Sequence, residues 1–263
     1  MEVPAEIDWL TARSRTTPRA KALIAGEERW NYSELDNLVD GAASKMLTFA
    51  EVGDRVACLL HNSLAFVCLV HAAARCGMVL VPINVRLTRA EVQGQLQRAG
   101  CTLLVHDDRT FDLACAAAGD GISLLAAVEL ITATSSLDRA RFPRFELDRV
   151  QGIIFSSGTT GQPKGAMLTF ANHFYSAMSS AYHTGQLPDD CWLCCLPLYH
   201  VGGLAILFRS CLYGTALELH NGFDVAKISS SLDRRVVTLI SLVPTMLQRL
   251  LHYRSDNVWP DSL

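Results

Sequence analysis

VQGIIFSSGTTGQPKGAMLT, residues 150–169, decides how this chain is read. Its start, VQGIIF, reads as a buried strand, and 166–169 as a second, short strand. Between them stand four hydroxyls (Ser156, Ser157, Thr159, Thr160), three glycines (Gly158, Gly161, Gly165) and Lys164. Glycines let backbone N–H groups turn toward an anion with no Cβ in the way. Hydroxyls add donors that follow phosphate oxygens, and a lysine brings a compact, mobile charge. Pro163 stiffens the approach to Lys164. A loop that leaves a buried strand sits at the edge of a sheet, where open α/β folds bind ligands.

Other phosphate motifs do not fit. Counted from Gly158, a Walker A loop requires glycine where Pro163 stands, and here Gly165 follows the lysine. A dinucleotide fingerprint needs a helix opening directly from the loop, and a strand follows instead. The plain alternative is a polar surface hairpin. The density of donors directly after a buried strand favours the anion-holding reading.

Outward from this segment, strands and helices alternate. Residues 22–25 and 28–31 read as a hairpin turning at Gly26, and Ser33 opens a helix with Leu35, Leu38, Val39, Ala42, Ala43 and Met46 at helical spacing. Residues 56–60 are a buried strand. Asn62 and Ser63 are N-cap types for a helix to Arg75, which Gly77 stops. A strand at 78–83, a Thr88/Glu91 capping box before a helix ending at Gly100, and a strand at 102–106 follow. Downstream, a helix over 171–183 presents Phe174, Ala177, Met178 and Ala181 on one face. A strand at 192–196, a helix at 204–212, a helix opened by Asp224, a β-branched strand over 236–243 and a helix beginning at Pro244 complete the series. The pattern predicts an α/β fold of layered, mostly parallel sheets flanked by helices. A polar stretch divides it into a first α/β portion, 1–132, a connector, 133–149, and a second portion, 150–263, that carries the loop.

Half of the 263 residues are hydrophobic and 19% are charged, and the formal net charge is -3. That balance gives no basis for a nucleic-acid surface or an anionic membrane partner. The apolar stretch 56–83 is interrupted by Asn62, Arg75, Gly77 and Pro82, short of the ~20 residues that a spanning helix needs. MEVPAEIDWL lacks the basic start and apolar core of an export signal, and the expectation is a cytoplasmic protein with reduced thiols. The nine cysteines include Cys191, Cys194 and Cys195 in CWLCCLPL, an apolar run that predicts buried thiols, not a metal site. The histidines at 61, 71, 106, 183, 220 and 252 show no metal-ligand spacing. His173, near a helix start, reads as packing or capping.

His200 is the second candidate site residue. It ends LPLYH, after a proline-bent strand exit and before Gly202 and Gly203, which permit close ligand approach. Its alternative role is to cap the next helix.

The segment 155–167 resembles the signature loop of the adenylate-forming superfamily: acyl- and aryl-CoA synthetases, peptide-synthetase adenylation domains and luciferases. WNYSEL, GDRVACLLHN, VPINVRLT, LPLYHVGG and SLVPTML have counterparts in the same order, so the resemblance covers essentially the whole chain. Within the superfamily, TFANHFYSAMSSA and LPLYHVGGLAILFRSCLYG are most similar to the o-succinylbenzoate–CoA ligases of menaquinone biosynthesis. The resemblance implies the truncated N-terminal domain of the adenylate-forming fold and a two-step reaction. A small carboxylic acid attacks ATP to give an acyl-adenylate and pyrophosphate, and CoA then forms the thioester. It implies Mg²⁺ beside the nucleotide. Ser156, Ser157, Gly158, Thr159, Thr160, Gly161 and Lys164 would hold the β- and γ-phosphates, with Lys164 also catalytic. His200 would be catalytic beside the acyl group and α-phosphate, with Gly202 and Gly203 in the acyl pocket. The metal's ligands are not legible in the sequence.

The family's later segments, including an adenine-binding stretch and a C-terminal lid, have no counterpart here. The expectation is therefore an N-terminal fragment with little ligase activity alone, and with an unpaired sheet edge that leaves homo-oligomerisation open. Three readings remain at this point: a CoA ligase, with o-succinylbenzoate or another acyl or aryl acid as substrate; a carrier-loading adenylation domain; and a non-catalytic nucleotide-binding remnant.

Overall fold

A computed structural model of the chain describes residues 8–134, 144–156, 163–255, 259–260 and 262–263. After α1 (Trp9–Thr16), β1 (Lys21–Ala25) and β2 (Glu28–Asn31) form the expected antiparallel hairpin. Gly26 turns it at a φ of 62°, a left-handed value that favours glycine. The helix expected at Ser33 is α2 (Tyr32–Met46), and its cap lies two residues earlier. Asn31 accepts from the Glu34 N–H while Glu34 returns a bond to the Asn31 N–H, a capping box.

Next come β3 (Arg55–Leu59), α3 (Leu64–Cys76), β4 (Val79–Pro82), α4 (Arg89–Ala99), β5 (Leu103–His106), α5 (Phe111–Ala118), β6 (Ser123–Ala126) and α6 (Ala127–Thr132). The second half adds β7 (Val150–Ser156), β8 (Lys164–Thr169), α7 (Phe170–Thr184), β9 (Cys191–Cys194), α8 (Val201–Tyr213), β10 (Ala216–Leu219), α9 (Val225–Asp233), β11 (Leu239–Ile240) and α10 (Pro244–Tyr253). Of the two cap types before α3, Ser63 is the cap, accepting from the Phe66 N–H, and Gly77 closes the helix in the left-handed conformation.

Two sheets result, ordered β11-β9-β10-β1-β2 and β6-β5-β3-β4-β7-β8. All pairings are parallel except the hairpins β1–β2 and β7–β8. Strands from before and after the 133–149 segment meet in both sheets.

Strand periodicity explains the layering. Val56 and Cys58 of β3 enter the central core, while Ala57 and Leu59 face α4 and α5. In the first sheet Trp192 and Cys194 enter that same central core, and Leu193 and Cys195 pack on α9 and α10. Both faces of the central parallel strands in each sheet are therefore covered, as parallel sheets require. Helices α2, α3 and α8 fill the space between the sheets. Every residue of α3 from Ala65 to Cys76 is buried, so the helix is apolar all round instead of striped.

The one cation of α3, Arg75, is 5% exposed and is held by three carboxylates. It reaches Asp8 at 3.2 Å and Asp40 at 2.6 Å, and also bonds Asp36. Burial alone would lower the Arg75 pKa, but the aspartates outweigh it and raise it.

Two expectations are corrected. Helix α7 buries Phe170, His173 and Ala177, while Met178 is 51% exposed. The helix packs on α8 through the face that carries the histidine, so Phe174 and Met178 are rotated away from the core. The strand expected over 236–243 shrinks to Leu239–Ile240, because β11 is an edge strand with β9 as its partner. The thiols of Cys191, Cys194 and Cys195 are buried, and burial raises them to about 12, 12 and 11. Among the described residues no helix is long and apolar enough to cross a membrane.

Candidate functional site

Parallel pairing puts the C-terminal ends of β3, β4 and β5 on one rim, and those of β9 and β10 on another. The two rims face each other across a cleft of about 360 Å³. His61 and Asn62 (after β3), Arg86 (after β4), Arg109 (after β5), Pro197 and Tyr199 (after β9) and Asn221 (after β10) line it. This is where α/β folds bind ligands, because each strand ends there in a loop free to vary.

The glycine-rich loop opens on the same rim. β7 runs parallel to β4, with Gly152 opposite Leu80, so β7 ends on the side where β4 delivers Arg86. A Cβ on Gly152 would stand 2.8 Å from the Leu80 carbonyl oxygen, which explains a glycine in the middle of this strand. The strand returns antiparallel as β8, with Ser156 paired opposite Lys164. The ends of the loop are thereby clamped together. Ser157, Gly158, Thr159, Thr160 and Gly161 lie outside the described residues. Arg98 of α4 donates to the Pro163 carbonyl, tying the loop's exit to the helix layer. Lys164 and Ser156 are exposed. Gly165 is accounted for by packing, since a Cβ there would come within 2.7 Å of Ile153 Cγ2.

His200 stands at the N-cap position of α8 with extended backbone, and its side chain makes no capping hydrogen bond. The imidazole is exposed and lies edge-on to Tyr199, 4.7 Å between ring centres. Partial burial and the nearby Arg86 charge both lower its pKa, which favours the neutral ring. Gly203 is buried, and a Cβ on it would meet the Pro197 carbonyl oxygen at 2.4 Å. Its smallness lets α8 start directly against the strand exit. Gly202 is exposed and less crowded, since a Cβ on it would stand 3.4 Å from Leu196 Cδ1. His173 is a packing residue: it is 4% exposed, bonds Gln151 at 3.0 Å and lies against Phe208.

Several cleft residues carry no sequence signal for a site. Asn62 reads as a helix cap, yet its amide bonds the backbone of Leu196, Leu198 and His220. His61 pairs with Asp107 at 2.8 Å across 46 residues of chain. Burial pushes the Asp107 carboxyl up, but hydrogen bonds from His61 and Thr110 outweigh it and hold the group below its ordinary value. Among the described residues no group of three or more His, Cys, Asp or Glu side chains is placed to hold a metal ion.

The family model for AMP-binding enzymes matches residues 10–261, spanning both sheets and the loop. The chain belongs to the AMP-binding enzyme family. A 2-succinylbenzoate–CoA ligase of Bacillus pumilus (strain SAFR-032) is 36% identical over 93% of this AMP-binding chain and 50% of its own length. The o-succinylbenzoate CoA synthetase (MenE) of Bacillus subtilis, solved with the acyl-adenylate intermediate OSB-AMP, superposes with a TM-score of 0.90 at 32% identity. That match covers 98% of this chain and 67% of that one. The same enzyme with ATP and magnesium ion gives a TM-score of 0.87 at 33% identity, covering 97% and 52%. The chain thus spans about half the length of the curated relatives it matches. In this AMP-binding chain the ends of the loop, at Ser156 and Lys164, and the His200 segment follow strands whose exits form the two facing rims.

Proposed function

We propose that this chain carries the nucleotide- and acid-facing part of an ATP-dependent acid–thiol ligase, with o-succinylbenzoate as the acid. The acid's carboxylate attacks the α-phosphorus of ATP, the bond to the bridging oxygen breaks, and pyrophosphate leaves. CoA then displaces AMP from the acyl-adenylate to give the thioester. The observation that carries this reading is the common rim: the clamped ends of the hydroxyl-rich loop, Arg86 and His200 all stand where the parallel strands of the two sheets end. The similarity to a Bacillus subtilis enzyme solved with its acyl-adenylate supports it.

In this reading Lys164 and the hydroxyls from Ser156 to Thr160, with the intervening N–H groups, follow the β- and γ-phosphates. Negative charge accumulates there as pyrophosphate departs, so prepositioned donors act on the transition state. Neutral His200 has a ring N–H to donate near the α-phosphate. Gly202, exposed at the α8 terminus, leaves room for the acyl group, and Gly203 lets that terminus start against the strand exit. Magnesium would neutralise phosphate charge when bound with the nucleotide, and the described residues offer it no carboxylate cluster. ATP and CoA are cytoplasmic metabolites, and the reading puts the protein in that compartment.

The test is acid-dependent pyrophosphate release from ATP by the full-length protein, across a panel of aromatic and aliphatic acids. A response dominated by o-succinylbenzoate is expected. No release with any acid would overturn the ligase reading, and a response to a different acid would overturn only the substrate.

A further inference from the structure

We propose that His61 is the general base that takes the thiol proton in the second half-reaction, with Asp107 as its positioning residue. The inference rests on the thioester-forming function proposed above. His61 is held twice by the same carboxylate oxygen: Asp107 Oδ2 accepts from its backbone N–H at 2.9 Å and from ring Nδ1 at 2.8 Å. A proton on Nδ1, facing the carboxylate, leaves Nε2 as the acceptor. Asp107 is itself fixed, because its Oδ1 accepts from the backbone N–H groups of Arg109 and Thr110 at 3.0 and 3.1 Å. The pair is about a quarter exposed, wet enough to exchange protons and enclosed enough to keep its geometry.

His61 lines the cleft that Tyr199 also lines, next in sequence to His200. Its neighbour Asn62 bonds the backbone on either side of Pro197, so the imidazole is fixed relative to the segment that carries His200. The charged and titratable groups around it are Asp107, Arg86, Arg109 and Tyr199, with His200 beyond Tyr199. Arg86 and Arg109 line the same cleft and favour an anion at its mouth.

The chemistry needs such a group. A free thiol with a pKa of about 8.5 is only a few per cent ionised at neutral pH. In the proposed step the thiol proton passes to His61 Nε2 as sulfur bonds the acyl carbon. The bond from that carbon to the AMP phosphate oxygen breaks, AMP leaves with the electron pair, and His61 later returns the proton to water. A purely structural role, tying the exit of β3 to that of β5, is the competing account.

Single-turnover assays on the full-length protein separate the two. In His61→Gln, thioester formation from preformed acyl-adenylate and CoA is expected to fall about 100-fold. Acid-dependent pyrophosphate release is expected to change by less than about threefold. The wild-type thioester rate should rise with pH through an acidic limb, and that limb should vanish in the variant. Asp107→Asn should keep the limb but shift it. Equal loss in both half-reactions, or an unchanged acidic limb in His61→Gln, would overturn the proposal. Wild-type protein that makes adenylate and thioester confirms the underlying function whatever His61 does, so the two failures are distinguishable.

Discussion

Asn62 accepts a hydrogen bond from the backbone N–H of Leu198 at 2.8 Å, although the two residues are separated by 136 positions. The same amide donates to the carbonyls of Leu196 and His220 at 2.9 and 3.0 Å. One side chain from the exit of β3 thus ties together strand ends of the opposite sheet. Asn62→Leu is expected to leave those buried backbone groups unpaired, at a cost of about 1–3 kcal/mol. Denaturant unfolding measures that loss, and a raised KM for the acid would show the His200 segment loosened.

Lys164 is exposed and forms no ion pair among the described residues, so Lys164→Ala should leave stability within about 0.5 kcal/mol of wild type. In the full-length protein the same change is expected to slow pyrophosphate release about 100-fold or more, since under the proposed function it removes a donor to accumulating charge. Thermal melts and release kinetics on the same preparations check both halves. A large drop in melting temperature would give the lysine a structural role instead.

His200→Ala should likewise slow adenylation without weakening the fold, because the imidazole makes no capping bond on α8. Gly203→Ala does the reverse. Its Cβ would stand 2.4 Å from the Pro197 carbonyl oxygen, which demands a backbone shift costing about 1–3 kcal/mol. Chemical denaturation of the two variants side by side is expected to separate the chemical residue from the packing residue.

Acid stability follows from two buried histidines. Burial lowers His71 and His173 from 6.5 to about 4, with the Arg209 charge adding to the effect at His173. Each folded-state pKa lies below the unfolded one, so between about pH 6.5 and 4 the unfolded chain binds more protons and folding weakens as pH falls. Each histidine contributes a slope of up to about 1.4 kcal/mol per pH unit in that window. Asp8, held below its ordinary value by Arg75 against the opposing effect of burial, adds a loss at lower pH, as it protonates. His71→Gln, which cannot take up a proton, should flatten the upper part of the profile when unfolding free energy is measured from pH 7 to 4.

Local chemistry made much of this legible. The Thr88/Glu91 box, the Gly77 and Gly100 stops, the hairpin at Gly26 and the Asp224 cap act over a few residues, and each appears where the sequence puts it. What escaped depends on distant partners. β10 went unread because Glu218 interrupts ALEL, and the groups that make it tolerable, His220 and Arg234, are supplied by the strand exit and α9. The buried face of α7 departs from the apolar pattern because a histidine occupies a core position, satisfied by Gln151 22 residues away. The His61–Asp107 pair is invisible in sequence for the same reason, whereas the density of hydroxyls and glycines in 156–165 stands out by composition alone.

The wholly buried α3 has a consequence for how the chain is made. The core cluster it belongs to is completed by Trp192, Cys194 and Leu217, which leave the ribosome well over a hundred residues after it does. Until then an apolar helix with a lone arginine waits in the nascent chain without its second covering layer, and β1 waits for β10. Synthesis therefore passes through a long interval in which this segment is a natural client for chaperones, and native structure closes late, around a helix made early.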